Sequence, residues 1–253
     1  MMLEGRVALI TGSTSGGMGR STAFTLAKNG ADIVLKYGTN RRDAEADKAS
    51  KEVEEAVQRM GRRVVLAKAD TANADEVSAM VQTAVKELGK IDILVNNAGG
   101  AWDNKDIAEV APDHFRRVLA AELDGAFHCI RECLPIMRKN GWGRIISLGI
   151  VGAGRKGFSP VDYCIGKGGR ALLTDAIALK ERRHNITVNM INPGGGHTAH
   201  LSSIGKALTF AERCEEWRSR KKATPQDIAE AVLFLCTEQA RFITGSHITF
   251  SID

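Results

Sequence analysis

Seven short apolar runs recur from one end of the chain to the other, at 7–10, 33–35, 64–67, 91–95, 145–148, 187–191 and 248–250. Unbroken apolar runs of this length mark strands buried on both faces. Between them lie longer amphipathic stretches with helical spacing, among them 44–60, 75–88, 112–138, 160–181 and 225–235. Two of these carry helix-start chemistry: Asn73 or Ala74 ahead of Asp75 and Glu76, and Thr224 ahead of Pro225. Strand and helix in strict alternation require parallel strands, right-handed crossovers and helices on both faces of the sheet. The expected fold is therefore α/β, a doubly wound parallel sheet of about seven strands. No repeat or linker divides the chain, so one domain is expected over 1–253.

At 253 residues, such a domain buries roughly 70–75% of the surface its unfolded chain exposes. It needs neither disulfides nor metal. The five cysteines are odd in number and form no CxxC pair, which argues against a disulfide framework and a zinc cluster. A reducing, cytoplasmic setting is the expectation, and no metal site is anticipated. Nowhere do 18 apolar residues run together, and no cationic leader precedes an apolar stretch, so no membrane role is expected. The net charge of +5 comes from scattered basic doublets without interleaved aromatics, which disfavours nucleic acid. It leaves room for an anionic small molecule.

Directly after the first strand comes Thr11, Gly12, Ser13, Thr14, Ser15, Gly16, Gly17, Met18, Gly19, followed by a helical pattern. A glycine-rich strand-to-helix turn lets backbone amides approach a diphosphate at a helix N-terminus. Its place between the first strand and first helix gives a Rossmann-like reading. At the end of the second strand an acidic residue would select NAD, whereas basic residues accommodate a 2′-phosphate. Asp32 begins that strand and does not end it. The exit runs Lys36, Tyr37, Gly38, Thr39, Asn40, Arg41, Arg42 with no carboxylate before Asp43. NADP(H) is therefore preferred over NAD(H), with Lys36, Arg41 or Arg42 as phosphate partner. The competing reading of Arg41 and Arg42 is decoration of the next helix. One irregular stretch, about 194–222, has the composition of a lid over a substrate, or of a surface excursion.

Asn96, Asn97, Ala98 and Gly99 after the fourth strand, with Tyr163 and Lys167 four apart at a helix start, make the chain resemble the short-chain dehydrogenase/reductase family. Within it, the chain looks most like 3-oxoacyl-carrier-protein reductases and related carbonyl reductases. Asp70 after the third strand, Asn192, Pro193, Gly194 and Thr198, and Thr244 with Gly245 extend the resemblance over nearly all 253 residues. It implies that Asp70 contacts the adenine, with Thr71 beside it. It also implies that Asn97, Ala98 and Gly99 flank the cofactor, and that Pro193, Gly194, Gly196 and Thr198 hold the carboxamide. Tyr163 and Lys167 share a helical face. Lys167 can then lower the Tyr163 pKa and bind the nicotinamide ribose, while Tyr163 passes a proton to a carbonyl.

Three positions depart from the family. Its serine stands seven residues after the glycine opening the fifth strand and usually thirteen before the tyrosine; both counts reach Ile150. Ser147 should point to the opposite face. Ser159 and His197 are the candidate replacement donors to substrate. Where the family has an asparagine whose carbonyl holds a water leading to the lysine, this chain has Glu122, which could pair with Lys167, feed protons itself or point elsewhere. The glycine turn is one residue longer than the common spacing. The leading expectation is an NADP(H)-dependent oxidoreductase acting on a carbonyl or alcohol, or on an activated C=C or C=N bond. The alternative is a cofactor-binding relative with weak or no catalysis, a sensor or inactive subunit. Apolar residues on 112–138 and 160–181 exceed what one sheet face needs, and by resemblance these helices pair between subunits. A homotetramer is expected, or a dimer.

Overall fold

The computed structural model describes residues 1–14, 17–38, 43–99, 103, 105–150, 160–193 and 223–250, without the side chains of 43–45. Seven parallel strands form one sheet: β1 (Val7–Thr11), β2 (Asp32–Tyr37), β3 (Val64–Lys68), β4 (Ile93–Asn96), β5 (Gly143–Leu148), β6 (Ile186–Asn192) and β7 (His247–Thr249). Their spatial order is β3-β2-β1-β4-β5-β6-β7. The order reverses between β1 and β4, and ligands of open α/β sheets bind at that crevice, beyond the carboxyl ends of the strands.

Alternation along each strand divides the core in two. Ala8, Ile10, Ile33 and Val95 meet α1 (Met18–Lys28), α2 (Asp43–Arg59) and a late helix, Pro225–Cys236. Val7, Leu9, Leu94 and Ile145 meet α3 (Ala74–Leu88) and α5 (Gly125–Asn140). α5 is preceded by α4 (Pro112–Leu119). α6 (Val161–Glu181) follows β5, and the late helix is α7. Caps form where the sequence places them. Asn73 accepts from the backbone N–H groups of Asp75 and Glu76, and Thr224 and Asp227 make a reciprocal capping box.

Three local features differ from the sequence pattern. The fourth strand starts at Ile93 and not at 91; just before it the Asp92 carboxylate accepts the Val7 N–H at 2.9 Å. The last strand is shifted one residue toward the N-terminus. The stretch expected as one helix over 112–138 is interrupted by a wide π-type turn at Ala120–Asp124, where the Gly125 N–H bonds back to the Ala120 carbonyl. That turn holds Glu122.

Candidate active site

The glycine turn after β1 is tied to the loop after β4. Asn97 Nδ2 donates to the carbonyls of Thr11 at 2.8 Å and Gly12 at 2.9 Å, and the Thr11 hydroxyl accepts from the N–H groups of Asn97 and Ala98. The Gly12 and Ser13 amides donate to the Lys36 carbonyl at the end of β2. Gly12 has φ +67°, and an added Cβ there would lie 3.2 Å from the Ala98 Cα. A Cβ on Gly19 would strike the Gly12 carbonyl oxygen. The first helix therefore packs directly on the turn. Gly17 caps α1 without any side-chain hydrogen bond, so its leading N–H groups, from Met18 onward, remain offered to an anion. Ser13 and Thr14 are buried beneath. These features fit a dinucleotide diphosphate.

Other expected cofactor contacts differ in character. Asp70 is half-buried and braced by its neighbours: its N–H donates to Glu76 and its carboxylate accepts the Ala72 N–H. The Thr71 carbonyl lies 3.0 Å from His128 Nδ1. Tyr37 hydrogen-bonds to Asp47 of α2, and burial, then that carboxylate, raise its pKa. Asp32 pairs with Arg63 at 2.7 Å, as its position at the strand start requires. Lys36 is 5% exposed; burial lowers its pKa while Cys129, Asp70 and Glu76 oppose the shift. Its ammonium is therefore turned into the protein, not presented at the strand exit as a phosphate partner would be. The alternating pleat explains this, for Lys36 lies on the same face as buried Val34.

The inward stripe of α6 carries Lys167, Arg170 and Thr174, all buried, with half-buried Tyr163 one turn earlier. Lys167 Nζ donates to the Leu148 carbonyl at the end of β5 and to Glu122 Oε2, each at 3.0 Å. The same carboxylate oxygen lies 3.3 Å from Arg170 Nη2. Glu122 is fully buried. Its side chain fills space that Gly99 and Gly166 leave, since a Cβ on Gly99 would fall 2.5 Å from Oε1 and one on Gly166 2.6 Å from the Glu122 Cβ. Burial, then Arg170, lower the Lys167 pKa to about 8, against the pull of Glu122. The Tyr163 hydroxyl is held well above its ordinary value, first by burial and then by the Glu122 charge, with Arg170 opposing. The expected lowering of the tyrosine pKa by Lys167 is thus not found in the free chain. A protonated phenol is instead favoured, and a proton donor needs one.

A family profile described as "Enoyl-(Acyl carrier protein) reductase" matches residues 12–251. The chain is 33% identical over 251 residues to 7alpha-hydroxysteroid dehydrogenase of Escherichia coli, covering 99% of this chain and 94% of that protein. It belongs to the short-chain dehydrogenase/reductase family. A 3-oxoacyl-acyl-carrier-protein reductase of Staphylococcus aureus is 33% identical over 243 residues, 95% of this chain and 94% of that protein. Among solved structures, a doubly substituted short-chain dehydrogenase/reductase from Serratia marcescens superposes with a TM-score of 0.82 at 30% identity, covering 99% and 98% of the two chains. Dehydrogenases and reductases are oxidoreductases, and that is the reaction class this family supplies.

In this short-chain dehydrogenase/reductase, Tyr163, Lys167 and Glu122 come together, and Asn97, Ala98 and Gly99 meet the glycine turn. Ile150 lies two residues beyond the end of β5 and is half-buried. Ser147 is fully buried and its hydroxyl has no partner among the described residues. Pro193 is buried at the end of β6. Ser15, Gly16, Arg41, Arg42, Ser159, Gly194, Gly196, His197, Thr198 and the stretch 194–222 lie outside the described residues. No group of metal-ligating side chains occurs among the described residues, and no helix there is long and apolar enough to cross a membrane. The residue that sequence reading missed is Arg170. Its signal was available: positions 163, 167, 170 and 174 share one helical face, so an arginine there must be buried and paired.

Proposed function

We propose that this chain is an NADP(H)-dependent oxidoreductase that moves hydride to or from a carbonyl or alcohol carbon, with Tyr163 as acid/base and Lys167 as its partner. One observation carries the reading. A half-buried tyrosine and a lysine whose ammonium is anchored by the Leu148 carbonyl and the Glu122 carboxylate share one helical face, with the Lys167 ammonium 5.4 Å from the Tyr163 ring centre. The nicotinamide group supplies or accepts the hydride. Tyr163 carries the proton at its hydroxyl, and burial keeps that hydroxyl protonated until it is used. Lys167 spends two of its three donors on fixed acceptors, which orients the remaining one. NADP(H) is favoured because the sequence has no carboxylate from Lys36 to Arg42 at the exit of β2, and Asp32 is at the other end and held by Arg63. Arg41 or Arg42 then takes the phosphate in place of buried Lys36.

Ile150 favours a particular substrate class. Lacking the family hydroxyl, the site suits a carbonyl that carries its own internal hydrogen bond or is part of a conjugated enone, where one protein donor suffices. Loss of a single donor to a developing oxyanion costs on the order of 10² to 10³ in rate elsewhere. The same Ile150 supports a second reading, a cofactor-binding relative with weak or no catalysis. Exposed Phe127, Ile165, Leu172 and Leu179 on α5 and α6 support self-association, as a homotetramer or a dimer, in the cytoplasm.

The test is fluorescence titration with NADPH and NADH, then NADPH oxidation over a panel of ketones, 1,3-diketones, enones and imines. Turnover on diketones or enones, falling at least about 100-fold in Tyr163→Phe, is expected. Turnover that survives Tyr163→Phe overturns the assignment. Tight binding without any Tyr163-dependent turnover favours the second reading.

A further inference from the structure

Arg170 is 1% exposed, and every one of its five N–H donors has an acceptor. Nε donates to the Glu122 carbonyl at 2.8 Å. Nη1 donates to the carbonyls of Asn96 and Leu148, both at 3.1 Å. Nη2 donates to the Ala98 carbonyl at 3.1 Å and to Glu122 Oε2 at 3.3 Å. One guanidinium thus binds the ends of β4 and β5, the loop after β4 and the wide turn before α5. Those are the segments that surround Lys167.

Two acceptors are shared. Leu148 O and Glu122 Oε2 each receive a bond from Lys167 and another from Arg170. The two cations therefore sit across a carbonyl and a carboxylate, an arrangement that fixes their separation. The Glu122 carbonyl, a position where a water could otherwise be held, is already engaged by Arg170 Nε. Lys167 reaches the turn directly through the carboxylate, with no bridging group needed. The wide turn is what makes this possible, since a π-type turn releases a carbonyl from the regular helical ladder.

We propose that Arg170 is a positioning residue of this active site, which locks the Glu122 carboxylate and through it places the Lys167 ammonium in direct contact with that carboxylate. The inference rests on the reading of Lys167 as the partner of Tyr163. It has an electrical consequence that packing alone would not have. The charged and titratable groups facing Lys167 among the described residues are Glu122 from the wide turn, and Arg170 and Tyr163 from its own helix. Cys129 of α5 lies beyond, its field reaching Arg170. β5 contributes the neutral Leu148 carbonyl, and α4 directs His114 to Asp162. Arg170 pushes protons off Lys167 while Glu122 holds them on. Their removal must move the lysine titration in opposite directions.

The experiment is an NMR titration of lysine labelled with ¹³C at Cε, in the full chain without cofactor or substrate, with Lys167→Met to assign the resonance. In the wild type, Lys167 should titrate at about 8. Arg170→Met should raise the midpoint and Glu122→Gln should lower it, each by about one unit or more. Arg170→Gln keeps an amide donor for the carbonyls and drops the charge; it should raise the midpoint as well, and it serves if Arg170→Met does not fold. Midpoints unchanged by loss of the guanidinium, or moved the same way by both neighbours, overturn the proposal and leave Arg170 as packing only. Failure of the functional reading looks different: turnover persists in Tyr163→Phe while the opposite midpoint shifts of the Arg170 and Glu122 variants are still observed.

Discussion

Both ends of the sheet bury an arginine, and the two differ in how completely they are held. At the carboxyl edge Arg170 has all five donors paired and shares a fully buried carboxylate with Lys167. At the amino edge Arg144, also fully buried, stacks 4.2 Å above the Trp142 ring, whose centre lies 3.7 Å from the Arg6 guanidinium. Arg144 Nη1 donates to the carbonyls of Gly143 at 2.8 Å and Asn185 at 3.1 Å; its carboxylate partner Glu238 is 62% exposed and 3.5 Å away, and the Arg144 Nε has no partner among the described residues. Asp92, 1% exposed, closes this floor by binding Arg6, Lys90 and the Val7 N–H. Burial alone therefore does not mark a functional arginine. What sets Arg170 apart is a closed network whose acceptors are shared with Lys167, at the edge where strands end and helices begin.

The largest expected effect that sharpens this contrast is on stability at the carboxyl edge. Arg170→Met should cost about 3–5 kcal/mol in urea unfolding, because it strands buried carbonyls and unbalances a buried ion network. Arg144→Met should cost less, about 1–3 kcal/mol: the Gly143 and Asn185 carbonyls lose a donor, but the apolar stem still covers Trp142 and Glu238 stays hydrated. It should leave NADPH affinity unchanged, while the carboxyl-edge variant weakens it. Equal losses for the two arginines would erase the distinction. Smallest of all, Glu238→Gln should stay within about 0.5 kcal/mol of wild type, as an exposed partner contributes little. A loss of several kcal/mol there would mean that the amino edge is as tightly coupled as the other.

Much of the carboxyl edge was legible in the sequence, and the reason is local. The glycine turn needs residues without a Cβ where Gly12 has φ +67° and Gly19 meets the Gly12 carbonyl, and such positions announce themselves within nine residues. Tyr163 and Lys167 lie four apart on one helix, so their shared face follows from the helical period. The Asn73 and Thr224 caps were equally local. Lys36, one of three candidates for a phosphate partner, shows that strand exit and side-chain direction are different facts, for the pleat turns it inward beside Val34. Glu122 could be named as a departure but not resolved between pairing, proton feeding and pointing away. Its fate depends on a wide turn that the 112–138 pattern conceals.

What the sequence determined alone is the order of strands and helices, the glycine turn and the spacing of the tyrosine and lysine, all set by periodicities of two and 3.6 residues and by steric demands within a single turn. Only the tertiary structure decided that Glu122 lies against Lys167, that Arg170 joins four segments through carbonyls from positions 96, 98, 122 and 148, and that Lys36 is buried. Those contacts join residues many tens of positions apart along the chain. They exist because packing α5 and α6 against one sheet face buries these side chains, and a buried charge is tolerated only with its partner in the protein.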